Sequence, residues 1–291
     1  MENITYLVAN FNNGQYLEDC LDSLLEQTIS RWNCIICDDC STDNSISVIK
    51  PYLSERIRLI RNQKNIGYTE TLKKLIEKSQ TDIVGILDSD DALYCSATME
   101  VLKVYDNKKE AGFVYSRFDA YDEELKEYLR SHGTKIKDGK TTLDSGYVSH
   151  LKTFRKIFYY KTQGYDNKFL YSEDRDIIYK LEEVTKPILI ESSIYKYRIH
   201  SNSVSNKPGS QKIMQSNHYY SFIETLKRRD IRGIEYSLYK YDFYFMLLGK
   251  NKDYILPIRA IAIIFRKFLK KIDFYFKIKT GGRLRREDVN V

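Results

Sequence analysis

The chain has 291 residues, of which 42% are hydrophobic and 30% are charged, a balance that is typical of a folded globular protein and argues against a disordered one. Its net charge of +7 comes from residues 259–291, where ten Lys and Arg stand against three Asp and Glu. The rest of the chain carries 37 charges of each sign and is therefore neutral.

Strand-like and helix-like segments alternate through the first 90 residues. The predicted strands are 4–9, 32–37, 57–61 and 83–87, and the predicted helices between them begin near residues 17, 44 and 69. Strands joined through helices predict an α/β fold with a parallel sheet covered on both faces. Ligands bind such sheets beyond the carboxyl ends of the strands. Acidic turns at 38–43 and 88–91 follow two of these strands, so we expect both turns to face one crevice.

The second half of the chain has a different pattern. Residues 119–150 are polar and predict loops, and they are followed by a helix near 172–184 and by strands near 187–191 and 194–199. Beyond residue 206 the sequence predicts long helices rich in Tyr, Phe, Lys and Arg. We place a boundary near residues 207–211, which divides a domain of residues 1–208 from a basic, mainly helical region of residues 209–291.

The acidic turn at 88–91 ends an apolar strand with three carboxylates in four positions. Two carboxylates about 5 Å apart repel by roughly 3 kcal/mol at an effective dielectric near 20. One interpretation is a solvated turn or a helix N-terminus, where carboxylates complement the helix dipole. The other is a site for a hard divalent cation, because Mg²⁺ typically takes one or two carboxylates and completes its shell with water and phosphate. Spacing alone leaves both open.

Three further stretches have two interpretations each. The turn at 38–43 can cap a helix, or it can accept hydrogen bonds from a nucleotide base or ribose. Asp174 can stabilise a helix N-terminus, but its spacing from Ile177, Ile178 and Leu181 predicts the apolar face, where a carboxylate can act as a general base. Strand alternation places Lys196, Arg198 and His200 on one face, which is either structural or phosphate-facing.

Taken in order, these stretches resemble the family 2 glycosyltransferases of the GT-A fold over about residues 3–205. The stretches that carry the resemblance are Tyr6–Asn12, Gly14–Thr28, Asp38–Asp43, Leu87–Asp91, Gly164–Asp166, Ser172–Asp174 and Tyr197–Ser205. The resemblance implies a Rossmann-like, mixed, mainly parallel sheet flanked by helices, and the pattern beyond residue 206 adds a helical C-terminal region. It also implies a nucleotide-binding half at about 1–118 and an acceptor half at about 119–208.

The resemblance implies an activity as well. Such an enzyme moves a sugar, with inversion, from a nucleoside-diphosphate sugar to a hydroxyl of a glycan or lipid-linked acceptor. A UDP-sugar is the expected donor, Mn²⁺ or Mg²⁺ the expected cofactor, and bacterial surface polysaccharide synthesis the expected setting. The donor-binding residues that it implies are Ala9, Asn10, Phe11, Asp39, Asp88, Ser89 and Arg198.

Within that set, Asp39 would accept a hydrogen bond from the nucleotide base, and Asp88 would contact the ribose or sugar. Asp90 would ligate the metal, with His200 near the metal or the diphosphate. Asp174 would remove the proton from the acceptor hydroxyl. These roles follow from the resemblance, and no motif identifies the sugar, the acceptor or the oligomeric state.

Three departures from the family pattern stand out. Ala9 occupies a position where the family usually has Pro, and Cys40 replaces the usual Gly, so any positive φ at Cys40 would be costly. The segment 64–68 lacks the Arg-Asn pair usually found a few residues further on.

Two other functions remain open. One is a non-catalytic sugar-nucleotide-binding or scaffold protein of the same fold, although a binder has no need of a base. The other is a nucleotidyltransferase, but the loop at 10–14 contains no cation for a phosphate-binding loop.

Residues 258–271 mix apolar side chains and cations at a roughly helical period. They predict either a helix that packs on the domain or a surface helix within residues 255–286 on an anionic membrane. No nucleic-acid-binding motif accompanies the charge, so nucleic acid is not expected as a partner. No secretory signal or membrane-spanning segment is expected, and the five cysteines are expected to be reduced. We therefore expect a cytoplasmic protein, with a peripheral position on the inner face of the cell membrane as the alternative.

Overall fold

The computed structural model describes residues 1–144, 148–201, 203 and 209–248. A first compact unit spans Met1–His218, and a second begins at Tyr219. The strands are β1 (Ile4–Asn10), β2 (Trp32–Asp38), β3 (Ile57–Arg61), β4 (Ile83–Ile86), β5 (Ala92–Leu93), β6 (Phe113–Tyr121), β7 (Tyr128–His132), β8 (Lys152–Arg155) and β9 (Pro187–Arg198). The predicted domain boundary near residue 208 stays a prediction.

Helices connect most of these strands. They are α1 (Leu17–Leu25), α2 (Ser45–Ile49), α3 (Tyr68–Lys78), α4 (Ala97–Asn107), α5 (Lys156–Tyr159), α6 (Glu173–Val184), α7 (Ser210–Arg228) and α8 (Gly233–Leu248), with short 3₁₀ turns at Lys50–Tyr52 and Asn167–Phe169. Among the helices in the described part of the chain, none has both the length and the hydrophobicity needed to cross a bilayer.

The described strands form one mixed sheet in the order β3-β2-β1-β4-β8-β6-β9-β5, and β7 pairs with β6 at an edge. Strands β3, β2, β1 and β4 are parallel neighbours. These four strands agree with the predicted ones to within one residue at each end, and the α/β fold class is confirmed. Their apolar runs are nearly continuous because both faces of a parallel sheet are covered.

The two faces of β1 contribute to two separate core clusters. Ile4, Tyr6 and Val8 alternate onto one face and pack with the leucines of α1, whereas Leu7 points to the other face and packs with the leucines of α3. This period of two is the geometry of a strand. The packing holds the carboxyl ends of β1, β2 and β4 at one edge of the sheet.

The second half of the sheet differs from the prediction. Strand β8 is antiparallel to both β4 and β6. The loops predicted at 119–150 are wrong in part, because β6 runs to Tyr121 and β7 occupies 128–132. All five residues of β7 are exposed, so the strand has no buried face to produce an apolar alternation. The two strands predicted at 187–191 and 194–199 form a single strand, β9, whose register shifts opposite Ser116–Phe118.

The described part of the second unit contains the end of α7 and all of α8. Phe222 and Phe243 lie 4.5 Å apart between ring centroids and pack these two helices together. The basic segment 255–286, for which packing on the domain and contact with a membrane are the two expectations, lies outside the described residues.

The acidic turn after β2 contains a strained backbone position. Cys40 has a φ of 65°, a left-handed conformation that costs a residue with a Cβ about 1–2 kcal/mol and glycine much less. We therefore expect Cys40→Gly to raise the free energy of unfolding by about 1 kcal/mol, measured by urea denaturation. Cys95→Gly is the control, because Cys95 is exposed and its φ is not positive. A loss of stability in both variants would contradict the expectation.

Candidate active site

Polar side chains collect where β1, β2 and β4 end. The side chain of Asn10, the last residue of β1, donates to Asp38 Oδ1 at 2.9 Å, and the carbonyl of Asn10 accepts from the amide of Asp39 at 2.8 Å. The turns predicted at 38–43 and 88–91 follow β2 and β4, the parallel strands on either side of β1, so both lie at the edge of the sheet where parallel strands end. Phe11 lies next to them with its ring 46% exposed. Ala9 belongs to β1 itself.

Asp39 is buried and organises the loop that follows β3. Its Oδ1 accepts from Asn62 Nδ2 at 2.8 Å and from the amide of Ile66 at 2.9 Å, while its Oδ2 accepts from the amide of Gly67 at 2.8 Å. A carboxylate oxygen has two lone pairs, so Oδ2 keeps one for a further donor. The role of Asp39 in binding a base stays a prediction.

The acidic loop after β4 is stabilised mainly by hydroxyl and amide donors of the protein. Asp91 accepts from the Tyr195 hydroxyl at 2.7 Å and from the amide of Arg198 at 2.8 Å. Asp88 accepts from the Tyr68 hydroxyl at 2.8 Å. Burial raises the pKa of Asp88 to about 6 and that of Asp91 well above its ordinary value. Asp88 and Asp91 thus accept hydrogen bonds from tyrosine hydroxyls, which the sequence did not predict.

Asp90 pairs with the histidine that follows β9. Its Oδ2 lies 3.0 Å from His200 Nε2, with the two side chains 25% and 1% exposed. The ring of Tyr16 packs 4.5 Å from the His200 ring between centroids. The structure therefore brings together the two residues predicted to be near the metal. A carboxylate oxygen beside an imidazole nitrogen is a donor set that fits Mn²⁺, and Mg²⁺ with added water.

A second set of candidate ligands lies deeper in the protein. Asp88, Asp91 and His150 offer ligand atoms within 4.8 Å of one another. Burial lowers the pKa of His150 well below its ordinary value, so its imidazole is neutral. Rings of Tyr195 and Tyr197 stack on His150 at 4.7 and 5.3 Å. A cation there would compete with the hydrogen bonds to Asp91, whereas Asp90 is more open.

Arg198 and Ser89, both predicted to bind the donor, are almost fully buried. Arg198 Nε donates to the carbonyl of Asp90 at 2.6 Å, Nη2 pairs with Asp19 at 2.7 Å, and Nη1 donates to the carbonyl of Glu123. The guanidinium therefore stabilises the acidic loop. A contact between Arg198 and a diphosphate would require one of these three hydrogen bonds to break. Ser89 Oγ accepts from the side chain of Asn13 at 2.9 Å.

Asp174 is the second residue of α6 and is joined to a buried lysine. Its Oδ2 lies 2.9 Å from Lys152 Nζ, and the two side chains are 40% and 2% exposed respectively. The expected apolar placement of Asp174 is therefore only partly correct: Oδ1 is buried, whereas the side chain as a whole is 40% exposed. Lys152 opens β8 opposite Ile86 of β4. Sequence reasoning missed Lys152, since nothing in the segment signals a buried charge.

Glu173 is a second carboxyl group beside Asp174 that sequence reasoning missed. It is 8% exposed, and its buried Oε2 has no hydrogen-bond partner. Burial, assisted by the charge of Asp174, raises the pKa of Glu173 from 4.5 to about 7. The folded state therefore favours the protonated form of this group.

We predict that Glu173→Gln stabilises the protein at alkaline pH. A carboxyl whose pKa is raised on folding contributes no penalty below the unfolded value near 4.5, and the full penalty above the folded value near 7. The substitution should therefore add about 3 kcal/mol at pH 8 and little at pH 4.5, measured by urea unfolding at both pH values. Glu77→Gln, an exposed position on α3, is the control. A gain that is equal at the two pH values would contradict the prediction.

Comparison with known proteins places this geometry in a family. Residues 5–168 match the sequence model of "Glycosyl transferase family 2". The chain is 25% identical over 236 residues to a chondroitin synthase of Escherichia coli, covering 80% of this chain and 34% of that protein. It is 27% identical over 262 residues to a hyaluronan synthase of Pasteurella multocida, covering 87% and 25%. The chain thus spans about a quarter to a third of the length of these relatives.

Solved structures share the fold. The crystal structure of S. aureus TarS 1–349 superposes with a TM-score of 0.63 at 14% identity, covering 88% of this chain and 77% of that one. A mannosyltransferase from Pyrobaculum calidifontis superposes with a TM-score of 0.55 at 14% identity, covering 91% and 80%. Since the family model matches more than half of the residues and the fold agrees, the chain belongs to glycosyl transferase family 2.

Proposed function

We propose that the protein is a metal-dependent, inverting glycosyltransferase. It moves a sugar from a nucleoside-diphosphate sugar, with a UDP-sugar as the expected donor, to a hydroxyl of a glycan or lipid-linked acceptor in bacterial surface polysaccharide synthesis. The observation that carries the proposal is the Asp90–His200 pair at 3.0 Å, which joins the loop after β4 to the residues that follow β9. Asp174 stands close enough for its charge to act on Asp88 of the same loop.

In this proposal Asp90 and His200 hold Mn²⁺ or Mg²⁺, which when bound offsets the negative charge of the departing diphosphate. Asp174 accepts the proton of the acceptor hydroxyl while the oxygen of that hydroxyl forms a bond to the anomeric carbon. The bond from that carbon to the diphosphate breaks on the opposite face, and the electron pair leaves with the nucleoside diphosphate. Attack opposite the leaving group inverts the anomeric configuration.

The donor would lie along the ends of β1 and β2. Asp39 would accept from the base, the main chain of Ala9, Asn10 and Phe11 would cradle the nucleotide, and Asp88 and Ser89 would face the sugar side. Two structures of similar fold support the choice of probes, since TarS was crystallised with UDP-GlcNAc and the mannosyltransferase with GDP-Man and Mn²⁺.

A thermal-shift panel of UDP-GlcNAc, UDP-glucose, UDP-glucuronic acid and GDP-mannose tests the proposal, because a ligand of the native state raises its stability by mass action. We expect at least one donor to raise the melting temperature in Mn²⁺, and EDTA to abolish the rise. The proposal would be contradicted if no donor raised the melting temperature, or if EDTA left the rise unchanged. Release of nucleoside diphosphate from the same donor separates an enzyme from a binding protein of the same fold, which would bind without turnover.

A cytoplasmic location with membrane contact through residues 255–286 is also a proposal, and it rests on the charge and apolar pattern of the sequence. We expect the full chain to float with anionic vesicles, and replacement of Arg266, Lys267, Lys270 and Lys271 by Gln to reduce the floated fraction several-fold. The matched control replaces four exposed lysines of the first unit, Lys103, Lys108, Lys109 and Lys126. If both variants floated to the same extent, the proposed membrane contact would be contradicted.

A further inference from the structure

Lys152 is a charged side chain that is almost completely buried. It is 2% exposed, yet burial of an ammonium costs several kcal/mol unless partners compensate. Opposing that cost, the carboxylates of Asp174, Asp88 and Asp91 raise the pKa of Lys152 above its ordinary value, so the lysine is charged. The hydrogen bond that it makes goes to Asp174 Oδ2, at 2.9 Å.

The two oxygens of Asp174 are therefore not equivalent. Oδ2 is bound to Lys152, which reaches it from the buried floor formed by β8. Oδ1 has no hydrogen-bond partner, although it too is shielded from solvent. An unpartnered buried acceptor costs free energy, and such atoms are retained where a ligand or substrate completes them. Oδ1 is thus the oxygen left for an incoming hydroxyl.

The other polar groups that face Asp174 do not substitute for this bond. Its charge acts on Tyr68 of α3, on Tyr165 before the 3₁₀ turn, on Asp88 of the acidic loop and on Glu173 of its own helix. None of these four groups is a cation. Lys152 is therefore the positive charge in direct contact with Asp174 among the described residues.

We propose that Lys152 is a positioning residue for Asp174. It holds Oδ2 and turns the carboxylate so that Oδ1 receives the proton from the attacking hydroxyl. This inference rests on the proposed function and deepens it. It assigns the acceptance of the proton to Oδ1 of Asp174 and the orientation of that carboxylate to Lys152. The alternative role is charge neutralisation, in which Lys152 only offsets the buried negative charge of Asp88 and Asp91.

A double-mutant cycle in the full chain separates the two roles. Lys152→Met, Lys152→Arg, Asp174→Asn and the double variant Lys152→Met/Asp174→Asn are compared for turnover with the donor that gives the largest thermal shift in Mn²⁺. We expect Lys152→Met to lower turnover about 100-fold while the donor dissociation constant changes less than about threefold. Lys152→Arg should recover at least about a tenth of the parent rate, since it keeps a donor to Oδ2. In the Asp174→Asn background, Lys152→Met should lower turnover by less than about threefold.

Two results would overturn the inference while leaving the proposed function intact. One is an active parent enzyme in which Lys152→Met lowers turnover equally in both backgrounds. The other is a loss of donor binding that parallels the loss of turnover, which is what neutralisation predicts. An inactive parent with no thermal shift from any donor is a failure of the proposed function, and the inference falls with it.

A measurement without substrate checks the contact itself. The urea midpoints of the parent, Lys152→Met, Asp174→Asn and the double variant should be non-additive, because Lys152 and Asp174 stabilise each other in the folded state. Lys180→Met is the matched control: Lys180 is as deeply buried and pairs with Asp176 at 2.5 Å on the same helix as Asp174. Lys180→Met should lower the urea midpoint by the same amount in the parent and in the Asp174→Asn variant. Additive midpoints for Lys152 would overturn the inference whatever the turnover.

Discussion

Replacement of Asp90 with Ala is expected to lower turnover by at least about 1,000-fold and to abolish the dependence of donor binding on Mn²⁺. The reason is charge and geometry: Asp90 is the carboxylate of the acidic loop that lies beside His200, while Asp91 already accepts two protein hydrogen bonds. Loss of Asp90 removes the anionic ligand without a substitute at hand. The measurement is a Mn²⁺ titration of the donor thermal shift, followed by the release of nucleoside diphosphate.

Asp82→Asn is the matched control for Asp90. Asp82 lies just before β4, at the end of the strand opposite to the acidic loop, and pairs with Arg155 at 2.8 Å. Its replacement should lower the melting temperature and leave the metal requirement unchanged. If Asp90→Ala bound donor and Mn²⁺ as tightly as the parent and kept its turnover, the proposed metal role would be wrong.

Replacement of Asp174 with Asn is expected to lower turnover by about 10²–10⁴-fold, the usual contribution of a general base. The donor dissociation constant should stay within about threefold of the parent value, because Asp174 acts on the acceptor and not on the nucleotide. Asparagine preserves the size of the side chain and removes its ability to take a proton. Single-turnover rates at saturating donor, with the donor affinity measured separately, provide the check.

Glu173 is the natural competitor for this role, since it is a neighbouring carboxyl whose pKa is raised to about 7. Its 8% exposure leaves little room for an acceptor, whereas the Asp174 side chain is 40% exposed. We therefore expect Glu173→Gln to keep most of the turnover that Asp174→Asn loses. The opposite pattern, with Glu173→Gln inactive and Asp174→Asn active, would assign the base to Glu173.

Local sequence signals are sufficient to predict the first half of the fold and the order of the stretches that form the site. Strands β1 to β4 were predictable because their apolar runs and the polar turns between them are local signals, read within a few residues. The rule that parallel strands end at one sheet edge predicts that the acidic turns at 38–43 and 88–91 lie together, and the order of these stretches carries the resemblance to the family. Cys40 adopts a positive φ, and the cost of that conformation stays a prediction.

The partners of the charged groups in the site come from segments that are far apart in the sequence. The bond from Asp91 to the amide of Arg198 joins residues 107 positions apart, and the pair of Lys152 with Asp174 joins a strand to a helix. Burial of Lys152 and Glu173, the antiparallel insertion of β8 and the exposed edge strand β7 likewise depend on which segments become neighbours. Periodicity and turn chemistry act over a few residues, whereas the desolvation and pairing of a charge depend on contacts that form only when the sheet is assembled.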